Sequence, residues 1–260
     1  MEKQISLPNG TKEIIKSYFE LPLGGKKVKC PYFMNLKGER AGLRVMIGKG
    51  TVEEIVHEVM VWAQLKGVGL NKMSTEEIRS FMIKKGIGID CSGFAVYVLD
   101  AWFKEIYHAH LWESLHYKDN SFFAKLRRRL RPVENIGAEL LTSEINCTKV
   151  THLQEILPGD LIRAKGKQNN AHHVAVITDV FYNDKGIIEK FVYTHSHRFY
   201  ELENGVREGY VIITDPEKEL KDQEWHDHYQ NRNYMLEDLL VDYQDNGIRR
   251  LKASVPFSAS

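Results

Sequence analysis

The stretch GIGIDCSGFAVYVLDAWF, residues 86–103, decides how this chain is read. Two glycines break the chain, an aspartate follows, and a cysteine then opens an apolar run with helical spacing. The pattern predicts a helix that begins at or near Cys91, runs to about His108 and has Asp90 as its N-cap. The first turn of a helix carries unpaired N–H groups and the positive end of the dipole. A thiolate at that place is stabilised, and the same N–H groups can hold the oxyanion formed when sulfur attacks a carbonyl. The plainer alternative is a capped helix with a small cysteine in its core. Cys30, Cys91 and Cys147 are the only cysteines, odd in number and far apart. They make neither a disulfide framework nor a CxxC zinc site.

Upstream, residues 11–20 read as a short helix. Thr51 with Glu54 and Ser74 with Glu77 each match the capping-box pattern before a helix-periodic run, and Gly86 fits the C-cap of the second. Downstream, a basic helix is expected over residues 121–131, stopping at Pro132. After residue 150 the texture changes to short β-branched or aromatic segments: LPGDLIRA, HHVAVITDVFY, IIEKFVYTHSH, EGYVIITD and GIRRLKA. YNDKG and ELENG look like hairpin connections between them. Helices first and antiparallel strands second argue for an α+β fold. The simplest organisation is a single domain over residues 1–260, with a helical N-terminal part at 1–85 and a helical insertion at 108–150.

A nucleophilic cysteine needs a base. Strand alternation puts His173 with Ala175 and Ile177 on one face, and His172 with Val174 and Val176 on the other. Only one of these histidines can meet Cys91. His195 and His197 share a face of the next strand, and pairing would bring His195 beside His173. There it would fix the tautomer and orientation of the base.

DCSGF, LPGDLI, HHVAVI and THS, in that order, resemble the NlpC/P60 cysteine peptidases, papain-like enzymes that cut bacterial cell-wall peptides. The likeness covers about 110 residues, from Asp90 to His197, in four short blocks. It implies Cys91 as nucleophile, His173 as base and His195 as the third, orienting residue, with His197 as the alternative third member. It assigns Asp90 to the free amine of the substrate, with Ser92 beside it, and Tyr32 of CPYFMN to the neighbourhood of the nucleophile and oxyanion. It also implies a central antiparallel sheet packed on the helix that bears the cysteine. The chain departs from the family pattern in three respects. It has 59 positions from Tyr32 to Cys91 and 82 from Cys91 to His173, and no glycine pair after the tyrosine. Insertions next to a site reshape its groove.

The expected chemistry is a thiol hydrolase acting on a peptide or amide, with a Cys91–His173 ion pair and a peptidoglycan stem peptide as substrate. Acyl transfer on the same scaffold, or a binding module with a structural Cys91, are the alternatives. No cofactor is expected. The His-x-His pairs at 108/110, 195/197 and 226/228 have no third or fourth ligand at a metal-binding spacing. With 36 basic against 35 acidic residues, bulk charge names no nucleic-acid or membrane partner. The local exception, KLRRRLRP at 125–132, reads first as a solvated helix face. No apolar run approaches the ~20 residues of a membrane span. The charged N-terminus lacks an apolar leader, so the mature chain is expected to start at Met1 and stay in the cytoplasm. The polar segment at about 213–234 reads as a surface loop or exposed helix.

Overall fold

The computed structural model describes residues 3–35, 43–166 and 172–254. Met1, positions 36–42 of the N-terminal part and Ala171 therefore lie outside the described residues. The architecture is α+β. An eight-stranded antiparallel sheet takes strands from both ends of the chain. These are β1 (Lys3–Ser6), β4 (Cys147–Val150), β5 (Leu161–Lys165), β6 (His172–Tyr182), β7 (Ile188–His197), β8 (Gly205–Ile212), β9 (Glu224–His226) and β10 (Gly247–Leu251). A separate hairpin joins β2 (Leu21–Leu23) to β3 (Lys26–Val28). The main order is β4-β10-β5-β6-β7-β8-β9. The long β6 pairs with β5 through its first half and with β1 through its second.

The first helices are α1 (Asn9–Phe19), α2 (Val52–Leu65), α3 (Thr75–Lys85) and α4 (Cys91–Tyr107). Both capping boxes form, with Thr51 and Ser74 each accepting from the amide three residues on. Gly86 ends α3 in the left-handed conformation. The remaining helices are α5 (Phe122–Leu130), α6 (Ala138–Leu141) and α7 (Tyr234–Val241).

The sheet has a core on each face. Phe94, Val98 and Leu99 of α4 join Leu161, Val174 and Val176 in one. Ala175, Ile177, Tyr193, Met235 and Leu239 belong to the other, beneath α7. Alternation along β6 separates the two, as period-two geometry requires.

Three boundaries differ from the sequence reading. The N-terminal part is not purely helical, because β1 joins the main sheet and β2–β3 form their own hairpin. The stretch at 108–150 ends in β4, which pairs with β10. The polar segment at 213–234 holds β9, whose Trp225 is buried. β1 and β4 find their partners, β6 and β10, far away in sequence, so local pattern carries little of their signal.

Candidate active site

Backbone fit places the cysteine. Asp90 caps α4 by accepting from the Gly93 amide at 2.5 Å. The helix start then lies so close to the preceding loop that a Cβ on Gly93 would come within 2.6 Å of the Gly48 carbonyl oxygen. The LPGD block sets the other end of the approach. Gly159 turns at φ +91°, where a Cβ would meet the Trp102 ring of α4 at 2.4 Å. Asp160 holds this turn through the Leu157 amide and through Arg250 at 2.7 Å.

Cys91 is 6% exposed. Its thiol donates to the His172 carbonyl at 3.8 Å, and the Val174 amide also bears on the sulfur. These two peptide groups flank His173. Pairing of β6 with β7 begins only at Val176, which leaves the earlier peptide groups on that side free for the thiol. The sulfur thus sits at the main chain of His173. It makes no hydrogen bond to an imidazole among the described residues.

The histidines form a relay. His173 Nε2 lies 2.8 Å from His195 Nδ1, and His195 Nε2 lies 3.0 Å from Asp227 Oδ2. Asp227, immediately after β9, is 4% exposed and saturated with donors. Tyr200 donates to Oδ2 at 2.7 Å, and Arg207 donates twice to Oδ1, at 3.0 and 2.7 Å. Burial pushes the Asp227 carboxyl up, but the His195 hydrogen bond and the nearby Arg207 cation bring it below the usual carboxylate range.

An ionised carboxylate only accepts, so His195 Nε2–H donates to it. In the neutral ring His195 Nδ1 is then an acceptor, and His173 Nε2–H donates to it. That leaves a lone pair on His173 Nδ1, the ring nitrogen nearer its own main chain. His197 packs on His173 with ring centroids 4.5 Å apart, and its own Nε2 lies 3.4 Å from Asp238. The hydrogen-bonded neighbour of His173 is His195.

Burial also reverses one electrostatic expectation. It pushes the Cys91 thiol up to about 12, with the Asp90 carboxylate adding to the rise and Lys49 opposing it. Burial likewise holds the His173 imidazole well below the usual histidine range, aided by the His197 and His195 rings. A resting thiolate–imidazolium pair was expected from the helix dipole. Desolvation outweighs the dipole, and both partners rest neutral.

Lys49 reorganises the expected amine pocket. Its ammonium sits 3.1 Å from Asp90 Oδ1, 2.5 Å from Ser92 Oγ and 3.0 Å from the Ile136 carbonyl. Ser92 in turn donates to Asp90 at 3.1 Å. Lys49, Asp90 and Ser92 are all buried. Asp90 and Ser92, expected to meet a substrate amine, instead hold an internal cation. Tyr32 reaches the site through a bridge to Ile89, and its hydroxyl donates to the Met34 sulfur at 3.5 Å. Burial raises that hydroxyl's pKa, with Cys91 and Asp90 among the contributing charges.

His172 lies on the α4 face and carries a buried Nδ1 without a partner. Sequence reasoning missed Asp227, Arg207 and Lys49. The alternation of Gln223, Trp225 and Asp227, all buried, was the available signal for the first. Among the described residues, no group of three or more His, Cys, Asp or Glu side chains is arranged to hold a metal ion, and no helix is long and apolar enough to cross a membrane. Comparisons with family models, curated proteins and solved structures find no match.

Proposed function

We propose that this chain is a thiol hydrolase of the papain-like type that the NlpC/P60 resemblance suggests, acting on a peptide or amide carbonyl. The observation that carries the reading is the His173–His195–Asp227 relay behind a cysteine whose sulfur rests on the peptide groups either side of His173. Cys91 starts as a neutral thiol. His173 Nδ1 takes its proton as the sulfur attacks the carbonyl, and the imidazolium keeps its Nε2–H bond to His195. The proton then passes to the leaving amine. Water, deprotonated by His173, releases the acid from the thioester. The N–H groups at the start of α4 stabilise the oxyanion. The resemblance points to a cell-wall stem peptide as substrate. Asp90, already paired with Lys49, does not select a free amine in this scheme.

The test is incubation with a panel of stem peptides and mass spectrometry of the products. Cleavage by the wild type, lost in Cys91→Ala, supports the reading. Equal cleavage by both contradicts it. One observation favours a second assignment of the base: His172 Nδ1 is buried, unpartnered and on the α4 face. Comparing His172→Ala with His173→Ala separates the two, since only loss of the true base removes turnover.

A further inference from the structure

Helix α5 reads FFAKLRRRL, and none of its nine residues is buried. Phe122 and Phe123 are 74% and 79% exposed, Leu130 is 70% and Leu126 is 43%. At ~100° per residue these four side chains fall within an arc of about 100°, forming one continuous apolar stripe. Arg129 borders the stripe on one side and Arg127 on the other, with Lys125 beyond Arg129. None of these three cations forms an ion pair among the described residues.

The opposite side of the helix is the one held to the protein. Arg128 lies about half a turn away from the centre of the stripe. Its guanidinium donates to the Asp119 carbonyl at 2.5 Å and stacks on Tyr117 at 4.3 Å. Ser121 caps the helix by accepting from Ala124. The anchor therefore turns the stripe outward, into solvent.

We propose that α5 docks this protein onto an anionic lipid surface, with Phe122, Phe123, Leu126 and Leu130 entering the headgroup–acyl boundary and Lys125, Arg127 and Arg129 meeting lipid phosphates. Charge complementarity selects this occupant. An apolar stripe edged on both sides by unpaired cations matches a bilayer that offers hydrocarbon below and phosphate at its rim. A second copy of the helix would set these cations against one another across the contact. The proposal is independent of the chemistry at Cys91.

The test is flotation of the full chain with phosphatidylcholine vesicles, with and without phosphatidylglycerol. Binding is expected only to the anionic vesicles, and it should fall away at about 1 M salt, where the Debye length shrinks to ~3 Å. Arg127→Gln with Arg129→Gln should weaken binding about 30-fold, at ~5-fold per surface charge. Phe122→Ser with Phe123→Ser should weaken it about 10-fold or more through lost apolar insertion. Unchanged thermal melting shows that each variant folds, because none of these side chains is packed in the core. Absence of binding to anionic vesicles at low salt overturns the proposal. So does binding that either double variant leaves intact, or a dimer in solution that disappears with the phenylalanines.

Discussion

Changing Asp227→Asn replaces one atom of the relay and should act in two separable ways. An asparagine can donate to His195 Nε2, which forces the proton of that ring onto Nδ1. His195 then donates to His173 Nε2 instead of accepting from it. The His173 proton moves to Nδ1, the nitrogen that receives the proton of Cys91 in the proposed mechanism, and the proposed base is blocked. The analogous change in the serine-protease triad costs about 10,000-fold. Here the carboxylate is one ring further from the nucleophile, so a loss in kcat of about 100-fold to 10,000-fold is expected. The second effect is on stability. The side chains of Arg207 and Asp227 are 12% and 0% exposed, and Arg207 donates twice to Asp227 Oδ1. Breaking a buried pair costs about 3–5 kcal/mol, and an amide oxygen that still accepts keeps the loss near ~3. For a chain of this size that lowers Tm by about 6–12 °C. Arg207→Met separates the effects, because it also breaks the pair while leaving the tautomers as they are. It should cost comparable stability but less than about tenfold in kcat. Peptide cleavage followed by mass spectrometry, alongside thermal melting, reads both quantities. A folded Asp227→Asn protein with wild-type kcat would refute the relay.

Other outcomes follow from the same geometry. Lys49→Met should destabilise the fold by about 3–5 kcal/mol by stranding a buried carboxylate, and adding Asp90→Asn should recover part of that loss in denaturant titrations. His173 and His197 both have folded pKa values below the ordinary one, so the unfolded chain binds more protons as pH falls. Their contribution is fully present above the unfolded pKa of ~6.5 and is lost below it, at up to about 1.4 kcal/mol per pH unit for each ring until the folded pKa is reached. Denaturant midpoints across that range check the slope, and a stability that rises on acidification contradicts it. Alkylation of Cys91 in the free protein should keep accelerating about tenfold per pH unit from 7 to 9, because the thiol is pushed up to about 12. A rate plateau at neutral pH would indicate a resting thiolate instead.

The sequence makes the local devices plain. Thr51–Glu54, Ser74–Glu77 and Asp90 are helix starts whose partners sit three residues away, and all three form. His173 meets His195 because adjacent strands of known alternation leave little choice. The rest depends on contacts that local spacing does not encode. Asp227 is buried only because β9 pairs with β8 and Trp225 packs in the core beneath it. Lys49 carries no signal in its local sequence; the loop before α2 folds against the start of α4 and points its ammonium at Asp90. The charge state of Cys91 departs from the sequence expectation for a similar reason. The helix dipole is visible in the sequence, whereas the burial that outweighs it is a property of the assembled core.

The central claim is that Cys91 acquires an acyl group by attack on a carbonyl and that His173 drives this step. The most direct measurement is tryptic mass spectrometry after brief reaction with a cleavable stem peptide and an acid quench. The account predicts a substrate-derived thioester on Cys91, absent from Cys30 and Cys147, and lost in a folded His173→Ala variant. Turnover with no adduct on Cys91, or an adduct that forms just as fast without His173, would contradict it.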